Sequence, residues 1–126
     1  MQWLLNGTGL LLALAIIAIG TSYIASPTTT MRGFGLPLPE DGPNVAWWLR
    51  LKGVRDIVAG LLVLAFMVWG VEREVGIVLL IEAMIPAGDM LLILAAKGST
   101  KSAFAIHGLT AMIMVLVAIP MMIGAD

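Results

Sequence analysis

Four stretches of this chain are almost continuously apolar, running from about Trp3 to Ile24, Gly53 to Gly70, Val75 to Ala96 and Ser102 to Ile123. Each approaches the ~20 residues that cross ~30 Å of hydrocarbon. The apolar positions do not alternate as strands require, and a barrel would need turn signals far more often. The pattern predicts an all-α fold: a four-transmembrane-helix bundle, antiparallel and up-down, forming a single domain over residues 1–126. The first run follows Met1-Gln2-Trp3 without a positive charge and is longer than the apolar part of a signal peptide, so it reads as a retained helix.

The connections are uneven. Glu72-Arg73-Glu74 reads as a tight turn and Lys97 to Lys101 as a short basic link, which makes the helices on either side antiparallel neighbours. Between the first and second helices lies a long irregular loop, Ala25 to Asn44. Ser26-Pro27-Thr28-Thr29-Thr30 stops the first helix, and Gly33-Phe34-Gly35-Leu36-Pro37-Leu38-Pro39 suits neither helix nor strand. Asp41-Gly42-Pro43-Asn44 leads into a helix from about Val45, with Asn44 as its cap. The opening turns through Lys52 then fall in the headgroup region, where Lys52 snorkels to lipid headgroups. The loop reads equally as a plain linker or as a lid over the mouth of a pocket.

Polar residues interrupt the apolar runs at few places, and those places carry the chemistry. Arg55, Asp56, Glu82, Asp89 and His107 all fall in stretches that otherwise read as bilayer-spanning. Each charge costs roughly 2.5–3.5 kcal/mol at a helix centre, so such residues turn inward, pair and are put to use. Counting along antiparallel helices puts Arg55, Asp56, Asp89 and His107 at similar depth. Glu82, about 10 Å from Asp89 at 1.5 Å per residue, reaches nearer the centre. Gly60 shares a helix face with Asp56 and leaves room for a neighbouring helix. In Ile85-Pro86-Ala87-Gly88-Asp89, Pro86 cannot donate to the carbonyl of Glu82, which predicts a kink just before Asp89.

Three carboxylates against one guanidinium leave two negative charges unmatched in low dielectric, so protons must be taken up. Arg55 pairs with Asp56 or, across helices, with Asp89, and Glu82 is the carboxyl expected to be neutral. Asp89, His107, Glu82 and Asp56 are therefore the candidate catalytic acid–base groups, with Arg55, Pro86 and Gly88 as candidate substrate-binding positions. Each also has a structural reading, as a helix-anchoring ion pair, an interhelical polar contact or a hydrogen-bonding core histidine.

Composition narrows the classes further. The chain is 60% hydrophobic and 12% charged, with a net charge of −1 and seven Lys and Arg residues, which gives no nucleic-acid-binding surface. It has no cysteine, and its single histidine with scattered carboxylates forms no metal-ligand spacing. No cofactor is implied. The basic residues set orientation: Arg32, Arg50, Lys52, Arg55, Lys97 and Lys101 lie on one face and only Arg73 on the other. The positive-inside rule puts the basic loops in the cytoplasm and both termini outside. Trp3 and Trp69 then mark the outer boundary, and Trp47 and Trp48 the inner one.

Gly53-Val54-Arg55-Asp56 with Gly60, Ile85-Pro86-Ala87-Gly88-Asp89 and His107-Gly108-Leu109-Thr110-Ala111 together resemble a family of small four-helix membrane proteins of unknown function, broadly similar to the DoxX-like four-helix proteins. The resemblance implies that these positions belong together and supplies no substrate.

Two classes of function follow. One is a membrane-embedded site that binds, and converts by acid–base chemistry, a small lipophilic molecule, as an isomerase, cyclase or hydrolase would. The other is a proton-coupled transporter or channel built as a homo-oligomer. A structural or assembly subunit is a third. The crowding of polar groups toward one half of the bundle favours the first.

Overall fold

The structure is a computed structural model and describes residues 1–124. It is all-helical among the described residues, without strands. Four long helices follow one another: α1 (Gln2–Ala25), α2 (Val45–Trp69), α3 (Glu72–Ala95) and α4 (Thr100–Ile123). Three of them, α1, α3 and α4, are long and apolar enough to cross a membrane. Helix α2 has 25 residues, but any 18-residue stretch of it contains Lys52, Arg55 and Asp56 together. The chain is thus a multi-pass membrane protein, with α2 the helix whose charges set it apart.

The helices pack as two pairs, α1 on α2 and α3 on α4, with looser contact between pairs. Apolar packing against lipid supplies little drive, so helices in a membrane associate where small residues let backbones meet. A Cβ on Gly53 would lie 2.6 Å from the carbonyl oxygen of Gly20, and one on Gly60 would lie 2.6 Å from that of Ala13. Gly60 thus does make room for another helix, and that helix is α1. Away from the long loop, Ala13, Val63, Val75, Leu79, Ala118 and Met121 close the bundle in an apolar core. The four tryptophans are all strongly exposed at the helix ends, where an interfacial belt would place them.

Several sequence expectations need correction at the helix ends. Glu72-Arg73-Glu74 is not the turn but the first turn of α3, and the chain reverses at Gly70-Val71. The cause is capping: Glu74 Oε2 accepts from the backbone N–H of Val71 at 3.1 Å, and carboxylates suit a helix N-terminus. Asn44 does precede α2, but its side chain makes no cap; its backbone carbonyl accepts from Trp47 and Trp48. The long loop is also more ordered than a linker. Pro27–Thr30 forms a helical turn, with Thr30 Oγ1 donating to the carbonyls of Ser22 and Ser26, and Met31–Gly33 continues as 3-10 helix.

Two helices depart from regular geometry where they meet the polar residues. Helix α3 breaks at Ala83, between Glu72–Glu82 and Met84–Ala95. This is the break that the missing N–H of Pro86 predicts. Helix α4 opens with a single turn (Thr100–Ser102) and then a π-helical stretch, Ala103–Gly108, which holds His107. Nothing in the sequence announced this widening, and π segments recur at functional sites.

Candidate functional site: a polar-ended cavity within the bundle

A cavity of about 320 Å³ lies where the two helix pairs separate, and all four helices contribute to its walls. Its lining on α2 runs from Lys52 to Val63 and on α3 from Leu79 to Asp89. At 1.5 Å per residue that is an axial length of about 15 Å. The end nearest the apolar core is walled by Leu12, Ala13, Val63, Leu79 and Met114. The other end gathers Tyr23, Lys52, Asp56, Asp89 and His107, with Phe34 of the long loop across it. Glu82 lines the stretch between these ends. Ile19, Ile85 and Ile106 line the cavity yet are 46%, 50% and 49% exposed, so an apolar rim frames its opening.

The polar end is built around two buried ionisable groups, Asp56 (7% exposed) and His107 (8% exposed). The Lys52 ammonium is 2.6 Å from Asp56 Oδ2, one helical turn away on α2. The same ammonium lies 4.5 Å from the centre of the Tyr23 ring and 5.2 Å from that of Phe34. It is therefore held by a carboxylate and two aromatic faces together, the two kinds of partner a desolvated cation favours.

On the opposite wall, His107 Nε2 donates to the backbone carbonyl of Phe34 at 2.8 Å. Its ring also rests on that of Phe34, centroids 4.5 Å apart and tilted by 59°. With Nε2 as the donor, Nδ1 is left facing Asp89 Oδ2 at 3.6 Å. A proton held between the two belongs either to Asp89 or to the ring, and the gap is long for a direct hydrogen bond. This is an arrangement that can pass a proton to a third group seated beside the pair, within reach of both.

The loop is fixed over this end from a second direction. Gly35 takes φ +109°, a backbone region open to glycine, and its carbonyl accepts from the N–H of Ser99 at 2.7 Å. Thr30, Gly33 and Phe34 thereby become part of the cavity wall. The loop is thus a fixed part of the cavity wall.

Of the residues expected to form a site, Asp56, Glu82, Asp89, His107 and Pro86 line the cavity. Arg55 does not: it is exposed, and the pairings expected for it with Asp56 or Asp89 are absent among the described residues. Adjacent helical residues point about 100° apart, so Arg55 and Asp56 cannot both face inward. Lys52, four residues from Asp56, can, and it is the cavity's cation rather than a snorkelling headgroup contact. Gly88 is not a lining residue either, and nothing lies within 4 Å of where its Cβ would stand. Tyr23 and Phe34 were missed altogether. Among the described residues, no three of His, Cys, Asp and Glu converge as metal ligands would.

Residues 13–121 match the family described as a domain of unknown function, DUF4267. The chain belongs to that family. All the polar residues of the cavity lie inside the matched stretch, so the site is part of the DUF4267 domain itself and not an appendage to it. No curated protein and no solved structure matches the chain.

Proposed function

We propose that this DUF4267 protein spans the bilayer as an antiparallel four-helix bundle and binds a small lipophilic molecule in its cavity. The Asp89–His107 pair would move a proton on that molecule. The observation that carries the reading is the cavity's own polarity: apolar for most of its length, with ionisable side chains from all four helices gathered at one end. Its volume lies near the lower limit of the roughly 300–1,000 Å³ usual for small-molecule sites. Such a site suits isomerisation, cyclisation or hydrolysis by acid–base chemistry.

Helix α2 is included among the spans because it is as long as its neighbours and packs along α1, with the Lys52–Asp56 pair turned inward. The basic connections lie on the cytoplasmic side and both termini outside, in keeping with the positive-inside rule. The wider likeness to DoxX-like four-helix proteins belongs to the same proposal and rests on the Arg-Asp, Pro-x-Gly-Asp and His motifs. A transporter or channel is less favoured, since the apolar core beyond Leu79 offers no polar route out of the cavity.

The test is to extract the protein into lipid discs directly from membrane and identify what small molecules accompany it by mass spectrometry. Ala59 lines the cavity, and Ala59→Phe fills it from the wall. A compound retained by the wild type and lost from Ala59→Phe supports the reading. Identical small-molecule content in both, or proton-driven flux that Glu82→Gln abolishes in proteoliposomes, overturns it.

A further inference from the structure

The charges inside the cavity do not balance, and the imbalance identifies what kind of ligand fits. Lys52 is the one lysine or arginine among the lining residues, and Asp56 already matches it at 2.6 Å with two aromatic rings beside it. Arg55, which an anionic substrate would have needed, lies outside. Arg50 is also engaged elsewhere, its Nε donating to the carbonyl of Ile24 and its guanidinium resting over Trp47. Among the described residues, no unpaired lysine or arginine lines the cavity to receive a carboxylate or phosphate head.

The acidic side is in the opposite condition. Asp89 has His107 as its neighbour at 3.6 Å. Glu82 lies about two turns deeper on α3, and the structure gives its carboxyl no hydrogen-bond or ion-pair partner among the described residues. It lines the cavity among apolar residues, Leu79 and Ile85 on its own helix and Met114 across from it. A lone carboxylate in such surroundings is costly, and a cation delivered by the ligand would offset that cost where no side chain does.

We infer that the cavity's ligand is a single-chain or compact lipophilic amine, its protonated nitrogen seated at Glu82 and its apolar body against Leu12, Val63 and Met114. This rests on the cavity being a binding site. A second polar group of the same molecule, about 10 Å from the nitrogen, would reach the Asp89–His107 pair, since seven residues separate Glu82 from Asp89 on α3.

The test compares three probes with a common chain, n-decylamine, 1-decanol and decanoate, against the full chain in phosphatidylcholine discs. Empty discs correct for partitioning into lipid. The wild type should hold decylamine about tenfold more tightly than decanol, a difference of about 1.4 kcal/mol, with decanoate weakest. Glu82→Gln should bring amine and alcohol together, with a melting temperature close to wild type. Glu82→Asp, which keeps the charge, should keep the ranking and serves if the glutamine variant does not fold. Equal binding of the three probes by the wild type, or tightest binding of decanoate, overturns the amine while leaving the cavity a binding site. An amine preference that survives Glu82→Gln overturns the anchor. If no probe binds the wild type better than Ala59→Phe, the cavity reading falls as well.

Discussion

His107 and Phe34 stand 73 positions apart in the chain, and the side chain of one donates to the backbone of the other at 2.8 Å. That bond fastens the long loop to α4 and, by occupying Nε2, decides which ring nitrogen faces Asp89. His107 is the chain's only histidine, so its ring nitrogen-15 resonances need no residue assignment, only the distinction of Nε2 from Nδ1. They will show Nε2 protonated, with Nδ1 the site of exchange. A ring protonated only at Nδ1 contradicts the arrangement.

Removing the ring should free the loop before it harms the bundle. His107→Ala leaves the Phe34 carbonyl without its donor, a loss of about 1 kcal/mol for a part-buried polar group. Hydrogen exchange at Thr30, Met31 and Phe34, whose N–H groups are bonded within the loop, will rise relative to that in the four long helices. Equal protection of the loop in wild type and variant would show that Gly35–Ser99 alone secures it.

The α1–α2 seam and the kinked part of α3 should respond oppositely to the same change. Gly53→Ala pushes a methyl group against the Gly20 carbonyl and should cost about 1–3 kcal/mol, read as a lowered melting temperature in detergent. Gly88→Ala meets open space in a helix and should stabilise by about 0.5–1 kcal/mol. A neutral Gly53→Ala would mean that the two helices do not approach as closely as described.

Neighbouring cations on α2 should separate in the same way. Lys52→Met strands the buried carboxylate of Asp56 and should cost about 2–4 kcal/mol, toward the low side because the lysine is itself partly exposed. Adding Asp56→Leu should restore much of the loss. Arg55→Ala should leave both stability and ligand retention near wild type. Loss of ligand in Arg55→Ala, with Lys52→Met harmless, would return the arginine to the site.

Sidedness can be read directly, because the native chain has no cysteine. A single cysteine at Gly42 will be labelled by an impermeant reagent only after the membrane is opened, and one at Arg73 in intact cells. The reverse pattern inverts the proposed orientation.

The helices were legible because apolar runs of bilayer length admit few alternatives, and their ends moved only where local chemistry intervened, as at Glu74. Depth along antiparallel helices was enough to anticipate that Asp56, Asp89 and His107 share one level. Rotation about each helix was harder to read. Arg55 looked like the partner of Asp56 because it is adjacent in sequence, whereas the four-residue spacing to Lys52 was the informative signal. Tyr23 offered only its position, a lone phenol near the end of an apolar run. Phe34 and the π-helical stretch of α4 carried no signal, since a loop's path and a widened turn both depend on contacts made across the fold.

The break at Ala83 divides α3 into a half tied to the apolar core and a half that carries Asp89. The two carboxylates of this helix therefore sit on opposite sides of a joint, Glu82 on the anchored segment and Asp89 on the other. A small swing there would alter the reach between them while the anchored segment stayed seated. Molecules of slightly different length could then be gripped at both ends by one unchanged set of side chains.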